Sequence, residues 1–459
     1  MSRQLRVAVI GAGPAGIYAA DILTKSEGVD VTIDILDRDP TPFGLIRYGV
    51  APDHPRIKEI VKALKRVLSN PDIRFFGNVN YGADLKLDHL QQFYDAVIFA
   101  TGARADRDLD IPGIELKGSF GAADFVSWYD GHPDAPREWA FEQRAESVAV
   151  LGVGNVGLDV ARMLAKTADE QLVTDIPQNV YAGLKANAAK DIHVFARRGP
   201  AQVKFTPMEL RELGHSPNVD VVVHPEGFEL DEGSMNSIRD SKSIKLVVDV
   251  LQNYLAKEET GAARRIHIHF CQEPVEILGA NGTVVGLRTE VTELDGTGNV
   301  RGTGEFKDWP VQAVYRAVGY RSDNLAGVPF DDNTATVPND GGRVIDIDGE
   351  PLPGAYVTGW IKRGPVGLIG HTKSDAAETI RLLLEDLNRL QAPTSPARED
   401  IDTYLAGRGI EFTTWEGWEK LDSHEISLGE AVGRTRIKVV PREDMVQISR
   451  EQSTSTSRE

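Results

Sequence analysis

Two glycine-rich segments of the chain have the spacing with which backbone amides bind the diphosphate of a dinucleotide. Residues 11–16 (GAGPAG) follow an apolar run at residues 5–10, and residues 152–157 (GVGNVG) follow another at 148–151. In such a loop glycine permits a tight turn and a close approach of the backbone, and the next helix directs its positive end at the phosphates. A single loop of this kind is also compatible with a turn that binds nothing. Because both loops lie between a strand and a helical pattern, the sequence predicts two nucleotide-binding units.

The residues after the second strand of each unit distinguish two kinds of nucleotide. Asp37 ends that strand in the first unit, where a carboxylate accepts hydrogen bonds from ribose hydroxyls and repels a 2′-phosphate. Arg197 and Arg198 stand at the corresponding place in the second unit, and two guanidinium groups suit a 2′-phosphate by charge and geometry. The first unit is therefore expected to take an unphosphorylated adenosine, and the second to prefer NADPH to NADH.

Two features of the second unit depart from the usual NADP pattern. Its third glycine, Gly157, is more often found with NAD, whereas alanine is more usual with NADP. The chain between Gly152 and Arg197 is also longer than the usual spacing, which requires an insertion around residues 166–190. The arginine pair is also compatible with a solvated surface pair. We give the charges more weight than the glycine because they act directly on the phosphate.

Length and composition limit the class of protein. A chain of 459 residues, 41% hydrophobic and 26% charged, predicts two globular domains, and its net charge of -18 argues against a nucleic-acid partner. No apolar run reaches the roughly 18 residues that span a bilayer, and we expect no signal peptide before the first strand. Cys271, the single cysteine, excludes disulfides within the chain and cysteine-ligated iron–sulfur clusters. A cytoplasmic location is expected, and no metal site is predicted.

The order of strands and helices predicts an α/β fold in which one domain is interrupted by the other. Buried strands at residues 96–100 and 311–318 each end at a glycine, and there we expect the chain to cross between domains. In the C-terminal extension, residues 391–459, a linker is expected to precede one short helix and a disordered end from Ser453. The expected limits are 1–107 together with 320–459 for the first domain, and 108–319 for the second.

Four longer motifs lie at residues 40–55 (PTPFGLIRYGVAPDHP), 197–200 (RRGP), 205–213 (FTPMELREL) and 359–370 (GWIKRGPVGLIG). These motifs resemble those of the adrenodoxin reductase-like ferredoxin–NADP reductases, and in particular of the bacterial, actinobacterial-type members. The resemblance runs from about Val7 to about Leu384 and is weaker beyond. It implies two Rossmann-like domains of the glutathione/adrenodoxin reductase type, a discontinuous FAD domain with an inserted NADP domain.

The same resemblance implies which residues contact each cofactor. Gly157 is the main departure from the family pattern, and it concerns strictness for NADP. His54 and Glu212 match the family's residues beside the contact between nicotinamide and flavin, although His54 is also compatible with a packing role and Glu212 with a solvated one. The implied FAD contacts are Gly11, Gly13, Pro14, Ala15, Asp37, Leu45, Val79, Trp360 and Gly367, with Leu368 and Ile369 as further cofactor contacts. The implied NADP contacts are Arg107, Gly154, Asn155, Val156, Arg197, Arg198 and Glu209, with Gly367 near the nicotinamide.

The resemblance implies a ferredoxin–NADP(+) oxidoreductase. Hydride passes from NADPH to FAD, and electrons pass singly and reversibly to a ferredoxin that supplies oxygenases such as cytochromes P450. Because Cys271 stands alone, the iron–sulfur centre is expected on a separate partner. A diaphorase with a different acceptor and a non-catalytic NADPH or flavin sensor remain alternatives. A disulfide reductase would need a cysteine pair, a glutamate synthase small subunit would need an N-terminal cysteine-rich region, and flavin monooxygenases match the motifs poorly.

One predicted helix, residues 55–68, concentrates positive charge in an otherwise acidic chain. Ferredoxins are generally acidic, so this helix is a candidate docking surface, although most charged helix faces are simply solvated. We expect no membrane partner and a monomer or weak homodimer. The basic residues are Arg56, Lys58, Lys62, Lys65 and Arg66.

Overall fold

The chain forms two compact units of the α/β class. The computed structural model describes residues 4–141, 144–367 and 369–451. Within those ranges the first unit contains the chain up to Ala105, the short segment Asp130–Asp134 and the chain from Tyr320 onward. The second unit contains Asp106–Tyr129 and Ala135–Gly319. Each unit has its own sheet of mainly parallel strands, which confirms the predicted α/β fold with two dinucleotide-binding units.

The sheet of the first unit has seven strands. Four of them pair with one another in parallel, and Pro351–Val357 joins them in parallel alongside Ala96–Phe99. An antiparallel hairpin then extends that edge. From edge to edge the strands are Asn339–Asp340, Arg343–Ile345, Pro351–Val357, Ala96–Phe99, Leu5–Ile10, Val31–Leu36 and Ile73–Phe76.

Both faces of this sheet are buried. Along the central strand Leu5–Ile10, Val7 and Val9 enter one hydrophobic cluster, whereas Ala8 and Ile10 enter another on the opposite face. A parallel strand that is buried on both faces has a continuous apolar sequence, which explains why the run was recognisable. The helices of the unit are Pro14–Thr24, Leu45–Tyr48, Pro55–Lys58, Val61–Leu68, Leu87–Leu90, Trp360–Arg363, Ile369–Glu385, Asp400–Gly407, Trp415–Glu430 and Arg442–Arg450, with a 3-10 turn at Leu387–Arg389.

The C-terminal extension is more ordered than the sequence indicated. Three helices, Asp400–Gly407, Trp415–Glu430 and Arg442–Arg450, stand where one short helix was predicted. Trp418 and Met445 lie in the same hydrophobic cluster as the central strand of the sheet. The prediction was wrong because these helices are mostly polar and bury only a few side chains each. The predicted disordered end, residues 453–459, lies outside the described residues.

The second unit has a sheet of six parallel strands and a smaller antiparallel sheet. The larger sheet runs in the order Ser119–Gly121, Ala313–Arg316, Ser147–Leu151, Asp191–Phe195, Arg264–His269 and Val219–Val223. The smaller sheet consists of Gln272–Ala280, Thr283–Leu294 and Val300–Trp309. The helices are Ala122–Tyr129, Asn155–Ala165, Gln178–Ala186, Pro207–Glu212, Glu232–Asp240 and Lys242–Leu255, with 3-10 turns at Asp169–Val173, Pro200–Gln202 and Leu213–His215. None of the helices in the described ranges combines the length and apolar character needed to cross a membrane.

Four histidines form a stacked row on the larger sheet of the second unit. His193 Nδ1 lies 2.9 Å from His269 Nε2, and His224 Nε2 lies 3.1 Å from His267 Nδ1. Each pair needs one donor and one acceptor nitrogen, so at least one ring of each pair is neutral. Burial first, and the neighbouring imidazoles next, lower the pKa of His193 to about 4 and that of His269 to about 2.

The free energy of unfolding is therefore expected to fall as the pH drops below about 6.5. The pKa of both histidines is lower in the folded than in the unfolded chain, so the unfolded chain binds more protons below its own pKa. Each histidine contributes a slope of about 1.4 kcal/mol per pH unit until its folded pKa is reached. Urea unfolding at a series of pH values between about 7.5 and 5 measures this slope. His269→Phe should reduce it, the exposed control His424→Phe should not, and a flat wild-type profile would contradict the assignment.

Candidate nucleotide-binding sites

The first glycine loop is shaped by the strand beside it. Gly11 has a φ of +113°, and a Cβ placed on it would lie 2.4 Å from the carbonyl oxygen of Ala100. A Cβ on Gly16 would lie 2.1 Å from the carbonyl oxygen of Gly11. Only glycine satisfies these contacts, because the helix Pro14–Thr24 begins directly against the sheet.

The middle glycine of that loop is different. No heavy atom lies within 4 Å of a Cβ placed on Gly13, which is the residue before the first turn of the helix Pro14–Thr24. Packing within the protein therefore does not require glycine here, whereas a diphosphate at the helix N-terminus does, because its oxygens approach the backbone itself. This open cradle fits the pyrophosphate of a dinucleotide.

The second loop repeats the arrangement. Gly152 has a φ of +127°, and a Cβ placed on it would lie 2.2 Å from the carbonyl oxygen of Ala317, whereas a Cβ on Gly154 again has nothing within 4 Å. A Cβ on Gly157 would lie 2.5 Å from the carbonyl oxygen of Gly152. Gly157 is thus a requirement of the close packing between helix and loop, so its presence says little about the 2′-phosphate.

Asp37 is held rigidly beside the first loop. Its carboxylate accepts hydrogen bonds from the backbone N–H of Ala12, at 2.6 Å, and from that of Asp39, at 2.9 Å. Burial raises the pKa of Asp37, and Asp39 raises it further, whereas Arg104 at 3.7 Å opposes both effects. The lone pairs left on the two oxygens remain available to ribose hydroxyls.

Three residues that the sequence did not single out support Asp37. Burial alone would raise the pKa of Asp39, but Arg104 at 3.0 Å and His132 at 3.5 Å hold it well below its usual range. Arg104 follows the neighbouring strand Ala96–Phe99, and the carboxyl ends of parallel strands meet at one edge of the sheet. Arg104 could therefore have been predicted from its position after that strand, whereas no pattern in the sequence indicated His132.

A cavity of about 200 Å³ opens at this edge of the first unit. Gly11, Asp37 and Val79, all among the predicted FAD contacts, lie together in its wall. Arg38, Tyr81 and Arg104, which were not predicted, also line it. The cavity joins an apolar wall to a fixed carboxylate, which suits an adenosine and its ribose hydroxyls.

Arg197 and Arg198 follow the strand Asp191–Phe195 of the second unit. Arg197 is 60% exposed and lies 3.4 Å from Glu273, a loose surface ion pair. In the described part of the chain, no ion pair is found for the half-buried Arg198. Both guanidinium groups are thus available to an anion in solution. Arg107 is exposed as well, and its backbone N–H bonds to the carbonyl oxygen of Gly319.

The side chains around the second loop are fixed by a second helix. The backbone N–H of Thr206 donates to Asn155 Oδ1 at 2.9 Å, while the Thr206 hydroxyl caps the helix Pro207–Glu212. Glu209 in that helix is buried, with an oxygen 3.9 Å from Arg162. Glu212 ends the helix and is half-buried. The structure thus brings Asn155 and the PMELRE helix together at the second loop.

The remaining predicted residues of the first unit lie in two stretches of the chain, one containing Leu45 and His54 and the other containing Trp360 and Gly367. Leu45 begins the short helix Leu45–Tyr48, and the buried His54 precedes the helix Pro55–Lys58. Trp360 follows Gly359, and a Cβ placed on that glycine would lie 2.6 Å from the Cβ of Ala15. The C-terminal motif therefore packs against the first glycine loop. Gly367 has a φ of +91°, Leu368 lies outside the described residues, and Ile369 begins the helix Ile369–Glu385.

Comparison with known proteins first gives the class. A family model described as pyridine nucleotide-disulphide oxidoreductase matches residues 5–198. That class combines dinucleotide-binding units of the kind found here, although the chain's single cysteine, Cys271, is buried, and burial raises its pKa to about 11. The fold and the two loops thus define an FAD- and pyridine nucleotide-dependent oxidoreductase.

Individual relatives then give the family. The NADPH-ferredoxin reductase FprA of Mycobacterium tuberculosis (strain ATCC 25618 / H37Rv) is 39% identical, covering 97% of this chain and 99% of the relative. The mitochondrial NADPH:adrenodoxin oxidoreductase of Arabidopsis thaliana is 37% identical, covering 97% and 95%. A solved structure of Mycobacterium tuberculosis FprA in complex with NADPH has a TM-score of 0.86 at 37% identity, covering 97% of this chain and 100% of that one. The chain belongs to the adrenodoxin reductase-like family of ferredoxin–NADP reductases.

Proposed function

We propose that this chain is an NADPH–ferredoxin reductase that holds FAD in its first unit and NADPH in its second, as a monomer or weak homodimer. The main support for this proposal is the difference between the residues that follow the second strand of each unit. Asp37 offers a carboxylate fixed by two backbone amides, whereas Arg197 and Arg198 offer two guanidinium groups. Relatives named for NADPH and for ferredoxin or adrenodoxin support it.

The chain's residues bind and orient the cofactors. The loop around Gly13 and the cavity beside Asp37 would hold FAD, and the loop around Gly154 with the arginine pair would hold NADPH. Bound together, the two cofactors supply hydride transfer and the conversion of a hydride into single electrons. The direction proposed is from NADPH toward ferredoxin, reversibly, in supply of oxygenases such as cytochromes P450.

The acceptor is tested by steady-state assay with cytochrome c as the final oxidant. NADPH oxidation is expected to be slow without a ferredoxin and to rise steeply when one is added, because ferredoxin relays single electrons. A rate that does not depend on ferredoxin would show a diaphorase with another acceptor. Binding of NADPH with no turnover under either condition would show a sensor.

His54 and Glu212 are proposed to tune charge where nicotinamide meets flavin. His54→Ala is expected to slow reduction of the flavin by NADPH about 10-fold or to shift its pH dependence, since an imidazole nitrogen can hold or release a proton near neutral pH. FAD should be retained, because the adenosine cavity does not include His54. Stopped-flow absorbance of the flavin measures the rate. The control His424→Ala lies on an exposed face, and an unchanged rate in His54→Ala would remove the assignment.

Ferredoxin docking is proposed at the exposed basic residues of the segment 55–68. The structure divides this segment into two helices, Pro55–Lys58 and Val61–Leu68. Lys58 and Lys65 are committed to ion pairs with Asp130 and Asp422, respectively. The members most available to a partner are the exposed Arg56, Lys62 and Arg66.

Charge reversal tests the docking surface. Lys62→Glu with Arg66→Glu is expected to raise the KM for an acidic ferredoxin about 5-fold at low salt, because attraction becomes repulsion. The difference should shrink as ionic strength rises and the charges are screened. Lys25→Glu with Arg389→Glu makes the same change in net charge elsewhere on the first unit and should leave KM unchanged. Equal KM values for the two double variants would exclude this surface.

A further inference from the structure

The loop that follows Asp37 lies directly against the first glycine loop. The backbone N–H of Phe43 donates to the carbonyl oxygen of Ala12 at 2.8 Å. A Cβ on Gly44 would lie 3.1 Å from the Cα of Gly13. Residues 38–48, here called the flanking loop, therefore form the second wall of the cradle in which Gly13 leaves space for a diphosphate.

The flanking loop is in an unfavourable conformation that needs support. Phe43 has a φ of +86°, a region that residues with a Cβ rarely adopt. Such a conformation persists only where the surrounding structure determines it. Its buried ring meets Trp418 of the C-terminal extension edge to face, with centroids 5.7 Å apart. The support for Phe43 thus comes from the far end of the chain.

The extension also binds three backbone carbonyls of the flanking loop. Arg442 Nη1 donates to the carbonyl oxygen of Arg38 at 2.7 Å, and the hydroxyl of Thr413 donates to that of Pro40 at 2.7 Å. Lys438 Nζ donates to the carbonyl oxygen of Arg47 at 2.9 Å. Carbonyls at the start and at the end of the loop are therefore held by side chains of the extension.

Buried charges reinforce this attachment. Glu425, fully buried, accepts two hydrogen bonds from the guanidinium of Arg47, at 3.1 and 2.5 Å, and one from Arg436 at 3.0 Å. Lys438 also reaches Asp130 Oδ1 at 3.3 Å. Removing one partner of such a buried network leaves the other charge uncompensated, so the loop and the extension are coupled strongly.

Arg442 further connects the extension to the residues that support Asp37. Its Nη2 lies 2.7 Å from Asp134 Oδ1 and 3.5 Å from Asp39 Oδ1. Asp39 in turn pairs with Arg104, which lies beside Asp37. With His132, Asp39 and Asp134 have the spacing of a cation site, but Arg38, Arg104 and Arg442 already neutralise the two carboxylates.

We infer that the C-terminal extension helps the first unit to retain FAD. Arg442, Lys438 and Glu425 are positioning residues that fix the flanking loop against the first glycine loop. The inference rests on the proposed function, because it assumes that FAD occupies the first unit. It assigns to the extension a role in retaining the cofactor. The ring contact between Phe43 and Trp418 packs the extension against the flanking loop. Arg442 fixes both the loop and the acidic residues near the ribose.

The test is the affinity for FAD, measured on the full-length protein. Arg442→Gln and Glu425→Gln are expected to weaken FAD binding about 10-fold or more and to speed FAD release, followed by the recovery of free-flavin fluorescence. Added FAD should restore kcat, since neither residue lies in the wall of the adenosine cavity. Arg442→Lys, which keeps the charge and one donor, should recover part of the affinity.

The matched control is Arg450→Gln, on the same helix as Arg442. Arg450 Nη1 also donates to a backbone carbonyl, at 2.8 Å, but that carbonyl belongs to Phe412, outside the flanking loop. Its FAD affinity should equal that of the wild type. The inference would be overturned if Arg442→Gln bound FAD as tightly as the wild type, or if Arg450→Gln lost as much FAD affinity as Arg442→Gln. Either result would leave the proposed function standing, provided that the wild-type protein is yellow. A wild-type protein that binds no FAD would instead defeat the proposed function itself.

Discussion

Replacing Arg197 and Arg198 together by alanine is expected to raise the KM for NADPH about 100-fold, with about a twofold change or less for NADH. Each guanidinium can form charge-assisted hydrogen bonds with the 2′-phosphate, which NADH lacks. Among the described residues, the Arg197 guanidinium has one loose partner, Glu273 at 3.4 Å, so little structure is lost when it is removed. Steady-state rates with each nucleotide measure the two KM values.

The control for this pair is Arg239→Ala with Arg301→Ala. Both residues are exposed in the second unit and make local contacts, with Asn236 and Glu293, respectively. The variant changes the net charge by the same amount, so any general electrostatic effect on an anionic nucleotide appears in it too. If the control and the Arg197/Arg198 variant lose NADPH affinity equally, or if neither loses any, the arginine pair does not select the phosphorylated nucleotide.

Valine at the middle glycine of either loop is expected to abolish binding of one cofactor and to spare the other. Gly13 and Gly154 both face open space and both have extended backbones that valine can adopt, so folding should be preserved. The added side chain would fill the place of the diphosphate. Gly13→Val should give a colourless protein that still binds NADPH, and Gly154→Val a yellow protein that NADPH no longer reduces.

Two further variants distinguish the loss of cofactor binding from damage to the fold. Gly16→Ala and Gly157→Ala place a methyl group 2.1 Å and 2.5 Å, respectively, from a backbone carbonyl oxygen. These variants should lower the melting temperature, whereas Gly13→Val and Gly154→Val should melt near the wild-type temperature. Loss of FAD in Gly154→Val with retention in Gly13→Val would reverse the assignment of the two units.

The parts of the fold that could be predicted are those in which local chemistry determines structure. The strand Leu5–Ile10 is apolar throughout because both its faces are buried, and the loop after it needs glycine for reasons that act within a few residues. The position of Asp37 beside the first glycine loop could be predicted because the second strand of such a unit ends there. These signals repeat in the second unit, which is why both units were found.

The parts that could not be predicted depend on contacts between distant residues. His132 reaches Asp39 only because the segment Asp130–Asp134 belongs to the first unit. The extension was expected to be one short helix, since its side chains are mostly polar and its contacts with residues 38–48 use arginine and lysine. Polar contacts of this kind leave no periodic pattern in the sequence.

The row of histidines was missed for a related reason. His193, His267 and His269 alternate with apolar residues along two strands, a pattern that is typical of a solvated face. His224 lies just beyond a third strand. Their juxtaposition follows from the strand order of the sheet, in which Arg264–His269 lies between the other two. Strand order in a parallel sheet depends on crossover connections and is not readable from the strands themselves.

The proposed function is the passage of electrons from NADPH, through FAD, to a separate iron–sulfur protein. Its most direct test is anaerobic mixing of the purified yellow protein with limiting NADPH and an excess of an oxidised one-electron ferredoxin. We predict that each NADPH consumed yields two reduced ferredoxins, because a hydride carries two electrons. When NADH replaces NADPH at the same concentration, few ferredoxins should be reduced. A flavin that NADPH bleaches while every ferredoxin tested stays oxidised would contradict the claim.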